Sequence, residues 1–150
     1  MSLIALVCSA AGLLGSSDAK ENPGAKAELD KLRGTWEVVR VENGGKPLPS
    51  ETTKGWTLAI DGSKYTLHEG DRTVEGNYNL DLLTTPRAID AVRSSGTEKG
   101  KSLWGIYRLE GDKLEMCFVE PDSHERPKQF ATGGVGGGQT LYILKRASKR

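Results

Sequence analysis

Between Trp36 and Lys145 the chain repeats short stretches of alternating apolar and polar residues, separated by clusters of Gly, Asp, Asn and Pro. Alternation puts successive side chains on opposite faces of a strand. It is cleanest at residues 73–80, where Val74, Gly76, Tyr78 and Leu80 share one face and Thr73, Glu75, Asn77 and Asn79 the other. The same reading predicts strands at 36–41, 56–60, 64–68, 87–92, 102–109, 113–119 and 140–145, with Gln129-Phe130 as a further short one. Asp61-Gly62, Glu69-Gly70-Asp71 and Glu110-Gly111-Asp112 are hairpin turns, because glycine accepts the positive φ that tight connections need. Asn43–Pro49, Ser94–Lys101 and Glu120–Pro127 read as loops, and Thr132–Gly138 as a glycine-rich turn before the last strand. Eight or nine short strands on tight turns predict an all-β, up-and-down antiparallel barrel, since closure removes exposed sheet edges.

The inward face of such a barrel comprises Trp36, Leu58, Ile60, Tyr65, Leu67, Val74, Tyr78, Leu103, Tyr107, Leu114, Met116, Phe118, Leu141 and Ile143. Gly76 and Gly105 on that face would open space among these large side chains. Trp104 and Ile106 fall on the opposite face and, if exposed, form the best candidate contact surface.

Residues 20–33 read as a linker running into a short helix: Asn22 suits the cap, Pro23 the first helical position and Gly34 the exit. Leu29 and Leu32 then face one side, as an amphipathic plug on the barrel mouth. Residues 2–15 carry no charge and precede Ser17-Asp18-Ala19, a small-x-small pattern. This predicts a signal peptide over 1–19 and export to a periplasmic or extracellular location, although no Lys or Arg precedes the apolar run. The run is too short to span a bilayer. The plainer alternative is an apolar N-terminus on a cytoplasmic protein. Four basic groups among residues 145–150 make 147–150 a solvated basic tail.

The 150 residues fit one domain, and a formal charge of +1 argues against a dedicated nucleic-acid binder. Gly100-Lys101-Ser102 resembles a phosphate loop only superficially, because it leads into a strand and lacks the helix N-terminus that cradles an anion. Gly133–Gly138 makes no dinucleotide fingerprint for the same reason. His68 and His124 are far apart and have no paired cysteines, so no metal site is expected. Cys117, the one cysteine beyond the signal, reads as a small core residue. Asp90 and Arg126 are expected to pair near Tyr107 at a barrel mouth, first as a structural ion pair fixing the loop 120–127 and second as a ligand contact.

Several segments occur in a telling order: Gly34-Thr35-Trp36-Glu37-Val38, Gly44-Gly45-Lys46-Pro47-Leu48-Pro49, Pro86-Arg87-Ala88-Ile89-Asp90, Gly105-Ile106-Tyr107, Gly111-Asp112-Lys113-Leu114, Arg126-Pro127, Gln139-Thr140-Leu141 and Leu144-Lys145-Arg146. Together they resemble an uncharacterised planctomycete domain family regarded as lipocalin-like, over nearly all of residues 30–146. The resemblance implies a lipocalin-like barrel over 34–146 and an export signal, but no reaction. It also implies that Gly34 and Trp36 form the Gly-x-Trp of barrel closure, with a late basic residue, Arg146 in preference to Lys145, over the indole.

No nucleophile, metal set or acid–base pair stands out, so the expectation is an exported, non-enzymatic binding module that holds a small apolar ligand and uses no cofactor. Its candidate ligand-binding residues are Tyr65, Tyr78, Tyr107, Phe118, Asp90 and Arg126. The alternative is an extracytoplasmic structural or protein-interaction domain with a filled core, whose partner is an envelope protein. An apolar pocket of about 300 Å³ or more favours the first reading, and a packed interior the second.

Overall fold

The computed structural model describes residues 24–148 apart from 122, 124 and 134–137. The residues expected to form a signal peptide, the Asn22 and Pro23 positions, His124 and most of the glycine-rich turn lie outside the described residues. A helix α1 (Ala25–Leu32) leads into strand β1 (Gly34–Asn43), a two-residue strand β2 (Lys46–Pro47) and a single turn of helix α2 (Ser50–Thr53). Seven further strands follow: β3 (Thr57–Asp61), β4 (Lys64–Glu69), β5 (Arg72–Asp81), β6 (Arg87–Arg93), β7 (Ser102–Glu110), β8 (Lys113–Val119) and β9 (Gln139–Arg146).

From β3 to β9 each strand pairs antiparallel with the next in sequence, and β1 pairs with both β3 and β9. The β1–β9 ladder runs from Trp36 opposite Arg146 to Asn43 opposite Thr140 and closes a barrel of eight strands, β2 being a hairpin extension of β1. The connections follow from turn chemistry: Gly62 and Gly111 take φ values of +60° and +57° in the β3–β4 and β7–β8 turns.

β1 serves two neighbours by bending at a register shift between Val38 and Arg40. A bulge of this kind turns Val39 outward, where it is half exposed, and keeps Trp36, Val38 and Val41 in the core. The turn of helix at α2 was not expected from the loop-like composition around it. Gly34 does not end the helix; Arg33 takes that position and donates its backbone N–H to Leu29, while Gly34 opens β1 with φ +127°.

Two apolar clusters divide the molecule. The larger fills the barrel and includes Leu32, Trp36, Leu58, Tyr78, Tyr107, Leu114 and Leu144. The smaller lies outside the barrel wall and comprises Ile106, Cys117 and Leu141, with Phe130 and Ile143 packed on it. Its cover is the irregular segment 125–133, in which Pro127 and Thr132 are buried. Gln129-Phe130 therefore forms no strand; it belongs to a strap that crosses the outside of the sheet.

This second cluster corrects two expectations. Ile106 is 1% exposed rather than part of a surface patch, although Trp104 beside it is exposed. The phase of β9 is also the reverse of the one expected: Tyr142 and Leu144 face the interior, and Leu141 and Ile143 face the strap. A strand covered on both faces carries apolar residues at odd and even positions alike, so its alternation cannot be read.

Candidate functional site

The barrel encloses a cavity of about 220 Å³, walled chiefly by aliphatic and aromatic side chains from α1 and seven of the eight barrel strands. It is smaller than the ~300 Å³ typical of drug-sized ligand pockets. It is about half as large again as the ~150 Å³ apolar cavity that accepts benzene.

One end is sealed by α1. Trp36 is fully buried there and donates its indole N–H to the Leu32 carbonyl at 2.9 Å. Arg146 lies over the ring at 4.2 Å from its centroid and donates to the Lys31 and Arg33 carbonyls at 2.8 and 3.0 Å. The last strand is thus tied to the helix that precedes the first. Beside this seal Glu28, 4% exposed, accepts from the Tyr107 hydroxyl at 3.1 Å and from Arg87 at 2.9 Å. Tyr78 donates to the Gly62 carbonyl at 2.6 Å. Burial raises the pKa of both phenols, and for Tyr107 the Glu28 carboxylate adds to the rise. Tyr78 and Tyr107 therefore wall the cavity with their rings and spend their hydroxyls on the fold.

Gly76 and Gly105 do not open space. A Cβ on Gly76 would lie 2.5 Å from the Tyr65 hydroxyl and closer still to the Val92 carbonyl oxygen. One on Gly105 would lie 2.6 Å from the Phe118 ring and 2.7 Å from the Cys117 carbonyl oxygen. Each missing side chain is replaced by an aromatic ring leaning over the backbone. Tyr65 and Phe118 consequently shape the cavity.

Asp90 and Arg126 meet at 2.7 Å, but on the outer wall and away from Tyr107. Arg126 also donates to the Gly105 carbonyl at 2.8 Å and lies 5.8 Å over the Trp104 ring. The pair clasps the strap to β6 and β7 and does not line the cavity. The physical reason is parity: Ile89 and Ala91 point inward, so Asp90 between them points out.

The end opposite α1 was not singled out by the sequence reading. Arg93 and Glu120 are the charged residues in the described cavity wall, and both lie at this end with Thr140 and Tyr142. Arg93 pairs with Glu98, which also faces Arg72 at 3.9 Å, and Arg72 lies 3.9 Å from Glu69. Burial pushes the Tyr142 hydroxyl up to about 12, and the Glu69 carboxylate adds to this while Arg93 and Arg72 oppose it. Burial likewise raises Tyr65, against the pull of Arg93. An arginine at the end of a strand reads as an ordinary surface charge; here it continues the inward face of Ile89 and Ala91, and barrel closure gives that face a cavity to line.

A second hollow of about 380 Å³ lies outside the barrel near the β1 bulge, between Val38, Val39, Trp56 and Lys145. Its few walls include the Lys145–Glu37 ion pair, and nothing there combines apolar enclosure with a convergent polar group. Among the described residues no cluster of three or more His, Cys, Asp or Glu side chains could hold a metal ion. Cys117 is fully buried against the strap, and burial raises its pKa, as suits a packing residue. His68 is exposed and contacts Thr73 at 3.3 Å. Among the described residues no helix is long and apolar enough to cross a membrane. No protein-family model matches the chain, and no curated protein matches it.

Proposed function

We propose that this chain is an exported, non-enzymatic binding module whose barrel holds one small apolar molecule. The observation that carries the reading is the 220 Å³ cavity, whose walls are mostly apolar and whose Tyr78 and Tyr107 hydroxyls are already bonded within the fold. Such a chamber gains affinity mainly from apolar burial. The size restricts the ligand to something near a substituted ring or a medium-length chain. Export is supported by the signal-like residues 1–19 and by the resemblance to the planctomycete domain family.

Native mass spectrometry of the protein from the envelope fraction of its source cells tests both parts. The expected result is a chain beginning near Lys20 with a small molecule attached, lost when Ala91 in the cavity wall is replaced by Phe. Bare chains in both wild type and Ala91→Phe, differing only by the mass of the substitution, would remove the ligand reading. It would leave the second reading, an interaction domain, which rests on Trp104 and Val92: both are exposed apolar residues on the outer wall, at neighbouring register positions of β7 and β6.

A further inference from the structure

Arg93 is unusual for its place. It sits in a mostly apolar cavity wall, where an unpaired cation would be costly to desolvate. Its neutralising partner comes from outside the barrel. Glu98 lies on the loop 94–101, which is anchored at its base by the Ser94–Glu75 and Gly100–Arg93 backbone bonds. Glu98 also bridges Arg93 to Arg72 on β5, so one carboxylate is shared by the two arginines. Arg93 Nε is buried and makes no hydrogen bond among the described residues, so the guanidinium fork is only partly used. Tyr65 and Tyr142 stand close enough for the Arg93 charge to act on both hydroxyls.

A guanidinium offers a planar fork that matches a carboxylate through two parallel hydrogen bonds. Glu98 already presents a carboxylate to that fork, from a loop segment flanked by Gly96 and Gly100, both at positive φ. A ligand entering from this end brings its apolar part into the chamber and leaves its head group beside Arg93.

We infer that the ligand is a small amphiphilic carboxylate, its apolar part filling the cavity and its head group taking the place of Glu98 on Arg93. Glu98 is then a built-in competitor that keeps the arginine neutralised while the barrel is empty. The inference rests on the reading of the cavity as a ligand site and adds the chemical class of the ligand.

Calorimetric titration of the full chain with octanoate and with 1-octanol, matched in chain length, tests it. Octanoate is expected to bind about tenfold more tightly than 1-octanol. Arg93→Met should remove that preference and keep the binding of 1-octanol, and Arg93→Lys should retain part of it. Glu98→Gln should strengthen octanoate several-fold and leave 1-octanol unchanged. Equal affinity for the two probes in the wild type, or a preference surviving Arg93→Met, overturns the inference and leaves the cavity reading standing. If Arg93→Met does not fold, Glu98→Gln decides, and an octanoate affinity that fails to rise overturns the inference. If neither probe binds the wild type, the cavity reading falls with it.

Discussion

Trp36 and Arg146 are opposite one another in the β1–β9 ladder, and the guanidinium of one lies 4.2 Å above the ring of the other. One arginine thus covers the barrel floor, bonds two carbonyls at the end of α1 and meets Asp112 of the β7–β8 turn at 3.2 Å. Replacing Arg146 by Ala should cost about 2 kcal/mol, the sum of a cation–π contact and two charge-assisted bonds that are partly exposed. Arg146→Lys should recover less than half, because an ammonium cannot stack on the indole and hold both carbonyls. Urea denaturation followed by Trp fluorescence measures both, and full recovery by Lys would refute the stacking account.

Gly76 is required by its surroundings. Gly76→Ala should destabilise by roughly 3 kcal/mol, because the Val92 carbonyl that a Cβ would meet is backbone and cannot rotate away. Gly70→Ala, in an open turn at φ +62°, should cost only about 1 kcal/mol from the left-handed backbone. Denaturant midpoints of the two variants give the comparison. Similar losses would mean that the close approach at Gly76 is relieved at little cost.

Glu115 gives the acid side of the stability profile. Burial raises its pKa, but hydrogen bonds from Lys113 and Arg108 outweigh burial and hold the carboxyl below its usual value. A carboxyl lowered in the folded state contributes stability that is full above its unfolded pKa and lost as pH falls through the folded one. Glu115→Gln should therefore be about 1–2 kcal/mol less stable than wild type at pH 7, with the gap closing as pH falls below about 4. Denaturation at a series of pH values tests this, and a gap independent of pH would assign the loss to packing.

Tyr142 acts on the alkaline side. Its hydroxyl is pushed up to about 12, chiefly by burial. The unfolded chain releases this proton near pH 10 and the folded chain does not, so its stabilising contribution is whole below pH 10 and drains as pH rises toward the folded value. Tyr142→Phe should flatten the decline between pH 10 and 12 by up to about 2 kcal/mol. An unchanged alkaline limb would place the ring in a wetter setting.

The strap can be tested through the thiol beneath it. Cys117 is fully buried, with Phe130 packed on its cluster, and the strap is held by Gly45 donating to the Thr132 hydroxyl at 2.8 Å. Phe130→Ala should raise the labelling rate of Cys117 by at least about tenfold through local opening at a cost of 1–2 kcal/mol. Peptide mass spectrometry of alkylated protein reads that rate. A rate equal to wild type would show that the barrel wall, rather than the strap, shields the thiol.

What the chain determines locally is the order and the ends of its strands. Alternation along β5 and the Asp-Gly and Glu-Gly-Asp turns are local properties of the backbone, so they are visible without a partner. The floor of the barrel is nearly as legible, since Gly34-Thr35-Trp36 marks one side of it. The choice of Arg146 over Lys145 follows only from register, which places Arg146 opposite Trp36 and Lys145 opposite Glu37. Tertiary structure alone decided the rest. The strap 125–133 buries the outer side of Ile106, Cys117 and Leu141, and a strand covered twice loses the alternation from which its inward face is read. Barrel closure likewise decided the candidate site: it put Tyr65 over Gly76 and Phe118 over Gly105, and brought Arg93 to one cavity with Thr140 and Tyr142 of β9. Those are relations between residues far apart in sequence, set by strand tilt and stagger, and no local pattern encodes them.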